Sequence, residues 1–262
     1  MTSDQPNGAT SGDPEAFIDK TIEFPDGSKF ERLAPITDFR KDPGEARMLY
    51  TCRQVAPDHN NKEFVLKVKA QWPGPQQLIH EGPSPYTAAE LKALESYREL
   101  NTIGVPHLIK WKRQTQSDAG VHAGGYIIYT IMTKLPGETL WDIGYWSMTE
   151  AERDEIRTAF IKKLNELRGL GIQPYDCALR NVLWEKETKQ LGIVDFEHYY
   201  GPEDTEFDEV GANEGPSGGA YVGAKRWEGS TVSNENEELM RWGLAQRPAP
   251  RTWFQEWGLK GY

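Results

Sequence analysis

Cysteine is nearly missing from this sequence: Cys52 and Cys177 are all it has. Two thiols cannot build the disulfide framework of a small secreted scaffold, so a reducing, cytoplasmic setting is expected, with stability resting on a packed core. Long hydrophobic runs are missing too. The longest, GGYIIYTIM at 124–132, is far shorter than the roughly 20 residues that cross a bilayer as a helix. The N-terminal MTSDQPNGATSGDPEA has neither a basic nor an apolar targeting region, and no membrane partner is expected. Positive charge is in deficit, 30 Lys and Arg against 40 Asp and Glu, for a net charge of −10. With no Lys/Arg cluster to offset it, such a surface repels phosphate backbones and excludes nucleic acid as a partner. His59, His80, His107, His122 and His198 show no metal-ligand spacing with one another or with the cysteines, which excludes a zinc site of the usual kind. GGAYVGAK at 218–225 is no phosphate loop, because its lysine does not follow the second glycine and no Ser or Thr comes after it.

What is present is a chain of 262 residues, enough for one large domain or two lobes. Residues 1–15 are rich in Ser, Gly, Pro, Asp and Asn and read as a disordered arm. Strands are predicted at KFERLAPI (29–36) and RMLYTCRQV (47–55), around a turn at KDPGE. A third is predicted at EFVLKVKAQW (63–72), where Val65, Lys67 and Lys69 alternate with Leu66 and Val68. The segment 82–100 predicts a helix opened by a Thr87-x-x-Glu90 capping box, with Leu91, Leu94, Tyr97 and Leu100 as its buried stripe. Two more strands follow, within 105–115 and 124–134. The pattern then changes to helix: 147–171 carries a Ser147-x-x-Glu150 capping box and the stripe Ile156, Phe160, Leu164 and Leu167. A hairpin is predicted from NVLWE and LGIVDFE across KETKQ, and a last helix at NENEELMRWGL (234–244). This order predicts an α+β fold of two lobes, β-rich then mostly helical, with a ligand cleft between them.

The stretch YDCALRNVLWEKETKQLGIVDFE at 175–197 carries the chemistry. Phosphoryl transfer needs a carboxylate to orient the attacking hydroxyl, oxygen ligands for magnesium and a cation on the nucleotide phosphates. Asp176 and, five residues on, Asn181 supply the first carboxylate and an amide oxygen after a helix. Asp195 adds a second carboxylate at the end of the hairpin. Alone, each has an ordinary reading as a turn former, a cap or a strand-end residue. Three in this order, with a helix before and a hairpin between, point to a metal-nucleotide site.

YDCALRNVL followed by IVDFE resembles the catalytic loop and metal motif of the protein-kinase-like superfamily, including its aminoglycoside- and choline-type phosphotransferases. IMTKLPGETL (131–140) is similar to the hinge of those enzymes and of fungal kinase-like proteins. The resemblance implies a bilobal fold with a β-rich N-lobe over 16–133 and a reduced, mainly helical C-lobe with a tail over 134–262. It implies ATP and magnesium as cofactors, with Asp176 catalytic and Asn181 and Asp195 holding metal. Lys67 in FVLK would contact the nucleotide phosphates, with Lys69 as the competing lysine. Glu90, or else Glu95, would pair with that lysine, and Met132 to Leu135 would form the hinge beside the nucleotide.

The sequence also departs from the superfamily pattern. Pro174 stands where a His usually precedes the catalytic Asp by two, Ala178 replaces a Lys or His, and Glu197 stands where the metal motif usually has Gly. RKDPGEAR has a single glycine where a Gly-rich loop would cover the phosphates. Residues 198–262 hold no Ala-Pro-Glu segment, which argues against an ordinary protein kinase. Two readings follow: an ATP- and magnesium-dependent phosphotransferase to an unidentified hydroxyl acceptor, small molecule or protein, and a pseudokinase that binds nucleotide or scaffolds. Trp253, Phe254 and Trp257 in the tail offer an apolar patch for a protein partner, or else pack as a terminal segment.

Overall fold

The structure, a computed structural model, describes residues 17–42, 44–57, 62–73, 78–80, 82–118, 120–170, 172–197, 199–200 and 234–246. The expected N-terminal arm, the acidic and Gly-rich stretches at 203–225, the aromatic tail, His59 and His198 lie outside the described residues. The chain divides into two compact units, Met1–Leu135 and Pro136–Tyr262. Among the described residues no helix is long and apolar enough to cross a membrane.

In the first unit, seven antiparallel strands form one sheet: β1 (Thr21–Glu23), β2 (Lys29–Pro35), β3 (Arg40–Asp42), β4 (Glu45–Ala56), β5 (Glu63–Gln71), β6 (Leu108–Thr115) and β7 (Tyr126–Thr133). The order is β1-β2-β4-β5-β7-β6, with β3 beside β4. Gly44 makes the β3–β4 turn at φ +86°, a left-handed conformation that a side chain would strain. Strand β5 is central, and its period of two divides its side chains. Phe64, Leu66, Val68 and Ala70 enter the main core with Phe30, Tyr50, Ile127, Tyr129 and Ile131. On the other face Val65 packs with Leu108, Met132 and the helix residues Leu91 and Leu94. Lys67, Lys69 and Gln71 on that face are all buried, so it is no solvated edge of the sheet.

That helix, α1 (Pro85–Glu99), opens differently from the sequence expectation. Its N-cap is Ser84, whose hydroxyl accepts from the Thr87 backbone N–H at 3.2 Å, with Pro85 at the first position. Ser followed by Pro is a strong start because Pro has no N–H to leave unsatisfied there. Thr87 therefore lies inside the helix with Glu90 one turn further in, and the two do not form its capping box. Leu91, Leu94 and Tyr97 are buried as the stripe predicts, but Leu100 caps the C-terminus and is 53% exposed.

The second unit contains β8 (Glu138–Thr139), α2 (Glu150–Gly169), β9 (Gln173–Pro174), β10 (Val182–Glu185), β11 (Gln190–Ile193), β12 (Tyr199–Tyr200) and α3 (Glu235–Arg241). The β10–β11 hairpin falls where it is predicted and takes β8 on its other side, while β12 pairs with β9. Helix α2 is capped two residues later than expected. Ser147 ends a 3₁₀ turn, and the reciprocal box is Thr149 with Glu152. Ile156, Phe160, Leu164 and Leu167 are buried along one face. Helix α3 returns to α2: Trp242 meets Phe160 at 5.1 Å between ring centroids, and Arg168 pairs with Glu238 at 2.7 Å. The Leu244 carbonyl accepts from Tyr145 Oη and from Arg157 Nε.

Candidate functional site

In the first unit the period of β5 brings both candidate lysines to the face covered by α1. Lys67 Nζ lies 2.6 Å from Glu90 Oε1, with only 5% and 6% of the two side chains exposed. An ammonium taken out of water at this depth is costly unless a carboxylate compensates it, which Glu90 does. Lys69 Nζ sits 3.6 Å from Glu90 Oε2 and 3.6 Å from Glu45 Oε2. The short contact thus belongs to Lys67, and Lys69 bridges two carboxylates. Glu95 points elsewhere, exposed and paired with Arg98. Met132, at the end of β7, is buried beside Val65 and Leu108, and Leu135 is the last residue of the first unit.

In the second unit the loop after β9 is built around Asn181. A 3₁₀ turn at Leu179–Asn181 follows Asp176, and Asn181 Nδ2 donates to the Asp176 carbonyl at 2.9 Å and to its Oδ2 at 3.0 Å. The Asn181 carbonyl in turn accepts from the Val194 N–H at 2.9 Å, continuing the Val182↔Ile193 register. One buried residue therefore ties the Asp176 loop, through its side chain, to the end of the hairpin, through its carbonyl, one residue before Asp195. Asp195 itself has φ +67°, an uncommon conformation for a residue other than Gly. Val194, just before it, is half-buried.

Magnesium, were it bound here, would find two hard oxygen ligands. With Nδ2 of Asn181 committed to Asp176, Oδ1 is the amide atom left to face a cation. The Asp195 carboxylate adds the hard oxygen such an ion prefers. Next to Asp176, burial pushes the Cys177 thiol up to about 12, which keeps it protonated.

Two residues were missed in the sequence reading. Arg180 Nη2 donates to both oxygens of Asp176, at 3.1 and 2.8 Å. Their spacing of four was the available signal, since opposite charges so placed meet across a turn. Glu45, read as part of a turn, holds Lys69, and nothing local in the sequence marks it.

A seven-stranded antiparallel sheet carrying α1 and a lysine–glutamate pair, followed by helix, loop and hairpin, defines a bilobal α+β fold of the protein-kinase-like type. The kinase PK-1 of Cydia pomonella granulovirus is similar over 84% of this chain and 70% of its own, at a TM-score of 0.50 and 17% identity. Rad53 residues 1–466, solved in complex with AMP-PNP, is similar over 64% of this chain and 39% of its own, at a TM-score of 0.43 and 16% identity. No family model and no curated protein matches the chain.

Proposed function

We propose that this protein is an ATP- and magnesium-dependent phosphotransferase acting on a hydroxyl acceptor, related to the aminoglycoside- and choline-type and fungal kinase-like enzymes. The observation that carries the reading is Asn181, whose side chain holds Asp176 while its carbonyl fixes the strand end leading to Asp195. A turn former and two incidental polar residues would not need this connection.

Bound magnesium and ATP would supply the transferable phosphoryl group and neutralise its charge. Lys67, held by Glu90, has a fixed ammonium for the nucleotide phosphates. Asn181 Oδ1 and the Asp195 carboxylate would hold the metal. Asp176 would orient the acceptor hydroxyl and accept its proton, with Asn181 Nδ2 keeping the carboxylate in place. Met132 and Leu135 would lie beside the adenine.

A second reading, a nucleotide-binding pseudokinase, is favoured by the Arg180 guanidinium, which occupies both oxygens of Asp176. Thermal-shift titrations with ATP, with and without magnesium, on the natural chain and on Asp195→Asn, test both readings. Magnesium-dependent stabilisation that Asp195→Asn abolishes supports the metal-nucleotide site. Slow ATP turnover that Asp176→Asn removes then separates enzyme from pseudokinase. No shift with any nucleotide would sink both.

A further inference from the structure

The lysine–glutamate pair belongs to a longer, largely buried run of charge. Positive and negative groups alternate along it: Lys67, Glu90, Lys69, Glu45. Glu45 is the terminus, and it reaches well beyond Lys69. Its Oε1 accepts from Tyr126 Oη at 2.8 Å, both its oxygens accept from Thr87 Oγ1 at 3.0 Å, and Oε2 accepts from Ser84 Oγ at 3.1 Å. Burial, and then the Glu45 carboxylate, push the Tyr126 hydroxyl well above its ordinary range, so it remains a donor. Glu45 therefore joins β4, β5 through Lys69, β7 through Tyr126 and the first turn of α1.

The attachment to α1 matters because Ser84 is also the helix N-cap and Thr87 lies one turn before Glu90. A helix gripped at its first turn cannot slide or rotate without moving Glu90 off Lys67. Lys69 has only 3% of its side chain exposed and lies between the two carboxylates, so it balances a charge that would otherwise push Glu90 and Glu45 apart. We propose that Glu45 and Lys69 are positioning residues: they lock α1 in the register that holds Lys67 ready for nucleotide phosphates, through a contact built into the fold. The function of this lock rests on Lys67 being the nucleotide lysine.

Two measurements on the full chain test it, one needing no nucleotide. The first follows acylation of Lys67 by an amine-reactive ester, read by mass spectrometry, in the natural chain, Glu45→Gln and Glu90→Gln. Glu45→Gln is expected to speed Lys67 labelling about tenfold, approaching Glu90→Gln, a coupling of ordinary size for residues in one network. The second compares binding of magnesium-ATP with binding of adenosine, which lacks phosphates. Glu45→Gln is expected to weaken ATP about tenfold, to leave adenosine unchanged, and to add nothing in a Lys67→Met background. The double change Ser84→Ala with Thr87→Val, which keeps Glu45 and removes both of its helix-side donors, gives the same pattern if Glu45→Gln fails to fold. Unchanged Lys67 labelling overturns the proposal, as does an equal loss for ATP and adenosine or an additive loss with Lys67→Met. A natural chain that binds neither ligand refutes the phosphotransferase reading, and the labelling result alone then decides whether the lock exists.

Discussion

Replacing Glu238 by Ala is expected to destabilise the second unit by about 3–5 kcal/mol, the usual cost of stranding one partner of a buried ion pair. Glu238 is 5% exposed and Arg168 3%. Its Oε1 accepts from Arg168 Nη2 at 2.7 Å and from Arg241 Nη1 at 3.0 Å, so a single truncation removes a carboxylate that two guanidiniums share. Arg241 is near the surface and can turn to water. Arg168 cannot: its Nε is committed to Gln173 Oε1 at 2.6 Å, and its side chain is enclosed. The loss should also loosen α3, which is further held by the packing of Trp242 on Phe160 and the two bonds to the Leu244 carbonyl. Urea unfolding followed by tryptophan fluorescence reads the change as a drop in midpoint, and hydrogen exchange locates it in α2 and α3. The double change Arg168→Met with Glu238→Leu should recover most of the loss, because an apolar pair of similar volume needs no compensation for buried charge. A single variant that loses under about 1 kcal/mol would refute the reasoning, since it would place Arg168 in contact with water in the native state.

The corrected helix start gives a sharp comparison: Thr149→Ala is expected to cost about 1 kcal/mol in urea unfolding, and Ser147→Ala little, because the capping bonds belong to Thr149 and Glu152. The thiols give a pH dependence. Burial raises both Cys52 and Cys177 from 9.0 to about 12. The unfolded chain therefore releases these protons first, and stability is full below about pH 9 and falls as pH rises toward 12. Ellman's reagent at pH 8 should react slowly with Cys52 in the native chain and quickly with both thiols in urea, whereas fast native labelling of Cys52 would contradict its burial.

Much of the fold was legible because its elements follow simple periods. The alternation in β5 and the stripes on α1 and α2 report faces, and a face can be read locally. The errors fell at ends. Both helices begin at a cap other than the expected one, because several Ser and Thr residues compete within a few positions and only one has the extended backbone a cap requires. Leu100 continued the period but not the helix, which stops at Glu99.

The candidate site divides the same way. The Asp176, Asn181, Asp195 spacing is local enough to suggest a shared loop, whereas the choice between Lys67 and Lys69 is not local at all. Both project from one face of β5, and which one meets Glu90 closely depends on where α1 lies along the strand. That position is fixed through Glu45, which is 39, 42 and 81 residues from the Ser84, Thr87 and Tyr126 groups it binds. Arg180 is the opposite case, near in sequence and overlooked, and it bears most directly on whether the protein turns over. Its pair with Asp176 is about one third exposed on both sides. A pair so open to water is worth about 0.2–1 kcal/mol. Displacing Arg180 to admit an acceptor hydroxyl would then slow the reaction by no more than about fivefold. The ion pair that favours a binding role is thus too weak to forbid catalysis, and the absence of turnover, were it observed, would direct attention to the other departures, Ala178, Pro174 and the single-glycine turn at Gly44 among them.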